Sequence, residues 1–180
     1  AEPGNYTIRF TSGSATHERV VEVRMFQLPR FTVEAKSERM WWRSGDIPVV
    51  SGTARYSSGA PVANASVQVR ASSSGEWPPP PAWLAERTLA TDAGGRFRIA
   101  LPVVPADLNG QATVTFRFVA TDETGDTAGG AASLLFASDF IAASAVTELA
   151  DGLVPGANNR MYLRVTRPDG APLPGATIRV

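Results

Sequence analysis

The stretch GAPVANASVQV at residues 59–69 is repeated, with substitutions, as GAPLPGATIRV at residues 170–180. The two copies lie 111 positions apart, and the same offset places Gly45 on Gly156. In both copies a glycine and a proline precede an alternating run, which is typical of a tight turn that leads into a β-strand. Because the repeat distance has the size of a whole domain, the chain is predicted to consist of successive copies of one β-module.

Other parts of the sequence also alternate between apolar and polar residues with a period of two. The alternating stretches are residues 6–10, 21–25, 31–35, 67–69 and 114–118. Turn-forming residues separate them, and these segments are 12–14, 57–59, 92–95, 109–110 and 168–170. Short strands with one apolar face, joined by frequent turns, predict an all-β antiparallel sandwich of the immunoglobulin or fibronectin type III class. Residues 81–87 are expected to form a loop or a single helical turn.

The repeat also divides the chain into modules. Residues 4–10 resemble residues 110–116, and each stretch is followed by a second strand. We therefore interpret residues 1–28 as the last strands of one module, residues 29–139 as a complete module and residues 140–180 as the opening strands of a third.

Charge and composition exclude several classes of partner. Lys plus Arg and Asp plus Glu are both 17, so the chain lacks the basic excess that binds a nucleic-acid backbone. There is no Cys, so neither a disulfide nor a thiolate can form within this chain. The sequence has no stretch of eighteen uninterrupted apolar residues, and no membrane insertion of this segment is expected.

Candidate reactive residues are few. His17 is the only His, is expected in a turn between two strands, and has no evident partner for nucleophilic catalysis. The acidic segment 122–126 lacks the ligand spacing of a calcium loop and is interpreted as a solvated turn. We therefore expect no catalytic residue, no metal site and no cofactor, and the chain is not predicted to be an enzyme.

The four tryptophans are the candidate interaction residues. In EWPPPPAW, residues 76–83, a polyproline spacer separates Trp77 from Trp83. The two rings either clamp a partner or pack onto the module while the loop covers a sheet edge. Trp41 and Trp42 are adjacent, so in a strand one would enter the core and the other would lie at an interface; a carbohydrate platform is the alternative.

Several segments resemble the alpha-2-macroglobulin and complement-component family. The segment FQLPRFTVEA at residues 26–35 resembles the junction between two macroglobulin domains, a strand end followed by a Leu-Pro joint and a new strand. Residues 3–8 are similar to the preceding strand in that family, residues 56–62 to its hairpin, and residues 168–174 to the hairpin of the next domain. The resemblance implies a long protein of stacked immunoglobulin-like modules that traps proteases after cleavage of a bait segment, often with a Cys-Gln thioester.

In such a protein this chain would be a non-catalytic scaffold segment of a bacterial inhibitor located in the periplasm, at the cell surface or in the medium. Its partners would be the neighbouring macroglobulin-like domains of the same chain, together with target proteases that meet the full-length protein. Without Cys, the chain cannot contain the thioester. The alternative is a surface adhesin or carbohydrate-binding array, because residues 59–69 followed by residues 91–97 also resemble modules of bacterial surface proteins.

Overall fold

The computed structural model describes residues 2–23, 29–148 and 152–178. Two strand pairs flank a central sandwich, and each pair forms a two-stranded antiparallel sheet. The N-terminal pair consists of β1 (Gly4–Ser12) and β2 (Ala15–Val23). The C-terminal pair consists of β10 (Ala142–Thr147) and β11 (Met161–Thr166).

The central sandwich packs a three-stranded sheet against a four-stranded sheet. The first sheet, in the order β3-β4-β7, contains β3 (Phe31–Ser37), β4 (Val49–Tyr56) and β7 (Arg96–Ala100). The second, in the order β6-β5-β8-β9, contains β5 (Ser66–Gly75), β6 (Arg87–Ala90), β8 (Gln111–Thr121) and β9 (Thr127–Ala137). All neighbouring strands are antiparallel, which confirms the predicted sandwich class. The single turn α1 (Pro81–Leu84) agrees with the expectation for this segment.

The core follows the alternation of the sequence. In β8 every second residue from Ala112 to Ala120 is buried, while its neighbours are exposed or half-buried. Among the described residues, the buried Ala, Val, Leu, Ile, Phe and Trp side chains all lie between Phe31 and Ala137. Burial of a large apolar side chain contributes about 1.5–3 kcal/mol, so the stability of the described chain resides mainly in the central sandwich.

One cross-strand pair in this core depends on a glycine. Gly52 of β4 lies opposite Phe97 of β7, and the Phe97 ring occupies the space above Gly52. A Cβ at position 52 would overlap this ring. The ring also packs against Phe118 with 5.0 Å between centroids, so the glycine lets β7 contact the opposite sheet.

The segment after β3 crosses to the other sheet. The Trp42 N–H donates to the carbonyl of Leu135 at 2.8 Å, and the Trp42 carbonyl accepts from the N–H of Ala137 at 3.1 Å. The bridge between Trp42 and β9 is parallel, so β3 begins at the end of the sandwich where β9 begins. The chain therefore enters the sandwich at one end and leaves it at the other. Backbone bonding at Trp42 also protects the exposed edge of β9.

The two copies of the repeated segment form the same turn. The N–H of Gly59 donates to the carbonyl of Tyr56 at 2.8 Å, and the N–H of Gly170 donates to that of Arg167 at 2.9 Å. Both glycines have positive φ, +87° and +82°. Such a φ is open to glycine and strained for most other residues, which explains why Gly recurs at this position.

Two sequence expectations are wrong in detail. His17 lies within β2, opposite Phe10, because the turn between β1 and β2 takes only two residues. The alternating stretches of β1 and β2 lack a buried face, since they pair with each other and not with the sandwich. Residues 24–28, which include the end of the predicted strand 21–25 and most of the Leu-Pro joint, lie outside the described residues.

Candidate functional site

The polyproline loop encloses an aromatic cluster. Trp77 and Trp83 make an edge-to-face contact with 5.8 Å between ring centroids, and both contact Phe136 of β9, at 5.9 and 5.3 Å. Trp77 is 5% exposed and Trp83 is 1% exposed. The rings therefore fill one end of the core and present no free face to a partner, which agrees with the packing interpretation of this loop and not with a clamp.

The proline run and an arginine hold this loop in place. Four prolines restrict the backbone to an extended course, and Pro81 occupies the first turn of α1, where a missing N–H is tolerated. After the turn, Arg87 donates from Nη2 to the carbonyls of Trp83 at 3.0 Å and Ala82 at 3.3 Å. These contacts explain how an irregular segment can present two large rings to the core.

The pair Trp41–Trp42 divides between core and surface. Trp42 is buried, its Nε1 donates to Ser37 Oγ at 3.0 Å, and Arg39 lies 5.1 Å from its ring centroid. Trp41 is half-buried. Trp42 thus belongs to the core, as expected for one of the two residues, and an interface role for Trp41 stays a prediction.

The acidic segment 122–126 forms a rigid turn between β8 and β9. Asp122 Oδ1 accepts from the N–H and hydroxyl of Thr124 and from the N–H of Asp126, at 2.8 to 2.9 Å. Its Oδ2 accepts from the Tyr56 hydroxyl at 3.1 Å. Burial raises the pKa of Asp122, but these hydrogen bonds outweigh it, and the net pKa is lowered. The carboxylate that was expected to be solvated is therefore buried and bonded to the protein.

Arg30, which directly follows Pro29 of the Leu-Pro joint, contacts this turn. Its Nη1 lies 2.6 Å from Asp126 Oδ2 and 3.4 Å from Thr124 Oγ1. The Arg30 carbonyl accepts from the N–H of Ser57 at 3.0 Å, so the entry of the chain is bonded to both turns at this end of the sandwich. The hydrogen bond and charge of Asp126 raise the pKa of Arg30. The contact is structural, since the guanidinium faces a carboxylate already engaged in the turn.

The remaining polar surface of the described residues contains an open groove and the exposed His17. An open groove of about 1030 Å³ runs along the sheet β3-β4-β7, lined by charges of both signs that include Glu34, Lys36 and Arg96. His17 lies on the exposed strand β2. Within the described ranges, His, Cys, Asp and Glu side chains form no group of three that could hold a metal ion. A helix of the length and apolarity needed to span a bilayer is likewise missing from those ranges.

By its fold, the chain belongs to the class of all-β proteins of the immunoglobulin-like sandwich type. Solved structures similar to it are bacterial alpha-2-macroglobulins, as the junction motifs predicted. The native E. coli protein matches 94% of this chain at 15% identity with a TM-score of 0.71, and its elastase-activated form matches 94% at 17% identity with a TM-score of 0.65. The Salmonella protein reacted with methylamine matches 82% at 14% identity with a TM-score of 0.64.

These similarities concern the fold. The chain spans only 13%, 17% and 11% of the three matched chains, in the same order. No family model matches the sequence, and no curated protein does so.

Proposed function

We propose that this chain is a non-catalytic scaffold segment of a bacterial protease-trapping protein of the alpha-2-macroglobulin kind. The observation that carries the proposal is the similarity to the native E. coli protein over 94% of the chain. A match over 94% of the chain extends beyond residues 29–139 into the flanking strand pairs, and this extent supports a succession of modules. Because sandwiches serve many functions, the order of modules is more specific than the fold.

The proposed modules are residues 1–28, 29–139 and 140–180. The concentration of buried apolar side chains between Phe31 and Ala137 supports the middle boundaries. The repeated turn at Gly59 and Gly170 supports the assignment of the last segment as the start of a further copy.

A scaffold role requires a fold that is retained while other parts of the protein rearrange. The chain is similar to the E. coli protein both in its native and in its elastase-activated form. The enclosed aromatic cluster at Trp77 and Trp83 and the bonded turn at Asp122 favour rigidity over reactivity. We therefore assign to the segment no catalytic group and no cofactor.

The partners proposed for the segment are the macroglobulin-like modules next to it in the same chain. Target proteases would meet the full-length protein and not this segment by itself. A protein with this role would be extracytoplasmic, in the periplasm, at the cell surface or in the medium, where foreign proteases are encountered.

The test is a trapping assay on the full-length protein that contains this segment. After addition of elastase, we expect the protease to cleave small peptides and to lose activity towards large proteins, and the first cleavage to fall outside residues 1–180. Protein sequencing by mass spectrometry locates that cleavage. A first cut within residues 76–86 would make the proline loop the bait segment and contradict the scaffold role. Elastase with full activity towards large proteins would contradict the trap itself.

The adhesin or carbohydrate-binding alternative predicts a different result. It requires aromatic rings exposed as a platform, whereas Trp42, Trp77 and Trp83 are buried and Trp41 is half-buried. Binding of the chain to a glycan array, abolished by Trp41→Ala, would favour this alternative over the trap.

A further inference from the structure

Asn109 and Gly110 form the only Asn-Gly step in the sequence, and they end the loop between β7 and β8. Asn109 is exposed. Gly110 has a φ of +64°, a conformation that suits glycine. Because glycine has no Cβ, its backbone nitrogen is unshielded and can reach the side-chain amide carbon of the preceding Asn. The step therefore places an amide carbon next to an accessible nitrogen, which is the arrangement that favours cyclisation.

Within the described residues, neither reacting group is held by a hydrogen bond. The Gly110 N–H has no acceptor there, and the Asn109 side chain has no partner there. Gly110 is bonded only through its carbonyl, which accepts from the N–H of Ser138 at 3.0 Å. Attack of the Gly110 nitrogen on the Asn109 side chain therefore has no hydrogen bond of these two groups to break.

Two other asparagines show what protects such a site. Asn64 is also exposed, but the N–H that follows it, that of Ala65, donates to Thr91 Oγ1 at 2.8 Å in a buried position. The side chain of Asn159 exchanges two hydrogen bonds with the backbone of Val154, at 2.8 and 2.9 Å. The nitrogen is engaged after Asn64 and the side chain is engaged at Asn159, whereas both are available at Asn109.

The surroundings of Gly110 determine what a change at Asn109 does to the fold. The Glu76 carboxylate lies directly beside Gly110, where a Cβ would overlap its Oε2. The bond from Ser138, the first residue after β9, joins the start of β8 to the point where the chain leaves the sandwich. A new carboxylate at position 109 would therefore lie one residue from a carboxylate contact. An extra main-chain carbon before Gly110 would displace the carbonyl to which Ser138 donates.

We propose that Asn109 is a site of spontaneous deamidation, and that its conversion weakens the bond between Gly110 and Ser138. The Gly110 nitrogen loses its proton to hydroxide and attacks Cγ of Asn109, which closes a succinimide ring. The bond from Cγ to the side-chain nitrogen breaks, and this nitrogen takes a proton from water and leaves as ammonia. Water then opens the ring at either carbonyl, which gives aspartate or isoaspartate and one new negative charge. The reaction needs no other protein and is independent of the proposed function.

Peptide mapping of the whole 180-residue chain tests this site. The folded chain is aged at mildly alkaline pH, digested with trypsin and compared with a sample digested at once. Asn109 falls in the tryptic peptide 99–117 and Asn64 in the peptide 56–70, so mass spectrometry follows each conversion separately. Asn109 should convert at least about tenfold faster than Asn64, because only its following nitrogen is unshielded. Its rate should lie within about tenfold of that in the free peptide 99–117, since exposed loops open at little cost in free energy.

Two variants serve as controls. Asn109→Gln retains an amide but requires a larger ring, so the conversion at position 109 should be lost. Asn158→Gln, at an exposed position, should leave the conversion of Asn109 unchanged. Hydrogen exchange at the Ser138 amide should become faster as the unmodified chain ages, and it should stay constant in the Asn109→Gln variant.

Three results would overturn the proposal. Conversion of Asn109 no faster than that of Asn64 would mean that the fold protects the site. Aspartate without isoaspartate would exclude the succinimide route, since opening of the ring gives both isomers. Exchange at the Ser138 amide that does not change with conversion would contradict the effect on the Gly110 bond. The trapping assay on the full-length protein is independent of these outcomes.

Discussion

Asp122 is a buried residue whose carboxylate accepts hydrogen bonds on both oxygens. Its lowered pKa means that the folded state favours the ionised form more than the unfolded chain does. The stabilisation is therefore present above the unfolded pKa of about 3.9 and is lost as pH falls through the lower folded pKa.

We accordingly expect the free energy of unfolding to fall as the pH drops below about 4, with Asp122 contributing to this loss. Asp122→Asn should weaken the chain at pH 7 and make its stability less sensitive to acid. Urea unfolding at pH 7 and below about pH 4 measures this difference in the free energy of unfolding. Asp107→Asn, at an exposed position, is the control and should leave the acid dependence unchanged. Equal acid sensitivity of the Asp122 variant and the unmodified chain would contradict the role of this turn.

Asn64 has a positive φ of +55°, and Gly175, 111 positions later, has a φ of +80°. Asn tolerates this conformation better than residues without a short polar side chain. Asn64→Ala should destabilise the sandwich by about 1 kcal/mol, while Asn64→Gly should change its stability by less than about 0.5 kcal/mol. Thermal unfolding of both variants tests this. Equal stability of the Ala and Gly variants would show that the backbone conformation at this position costs little.

At the scale of elements, the loop between β5 and β6 contributes more to the core than its composition suggests. Trp83 has 1% exposure and contacts both Trp77 and Phe136. Trp83→Ala should therefore cost about 3–5 kcal/mol, in the range for large aromatic residues in a core. Trp41→Ala, at a half-buried position, is the matched control and should cost about 1 kcal/mol or less. Denaturant unfolding followed by circular dichroism measures both, and equal costs would contradict the enclosed position of Trp83.

The sequence predicted the sandwich strands β3, β5 and β8 as alternating stretches, because period-two alternation coincides with burial there. It also predicted the turns, since Gly at positions 59 and 170 meets a requirement of the local backbone. Burial of Trp77 and Trp83 depends on Phe136, which lies more than fifty residues away in the sequence. Because no local pattern contains this contact, the sequence left packing and partner binding as two open interpretations. The environment of Asp122 likewise depends on Tyr56, a contact that no local pattern contains.

At the scale of the whole molecule, the described chain consists of one filled core and two strand pairs with exposed apolar faces. The repeat at 111 positions predicts three modules, residues 1–28, 29–139 and 140–180, and this division stays a prediction. The repeat does not predict the course of the chain between modules. Residues such as Arg30 are positioned there by turns that are distant in sequence. The modular claim therefore depends on how independently the central sandwich folds.

Limited proteolysis tests this claim most directly. The chain should be digested with trypsin, and the fragments identified by mass spectrometry. A sandwich with its own core resists cleavage, whereas strand pairs without a covered face open readily. We predict early cuts at Arg9 or Arg19 and at Arg160 or Arg164, and a persistent core near residues 29–139. Resistance of all 180 residues as one unit, or early cuts at Arg70 or Arg117 within the sandwich, would contradict the account.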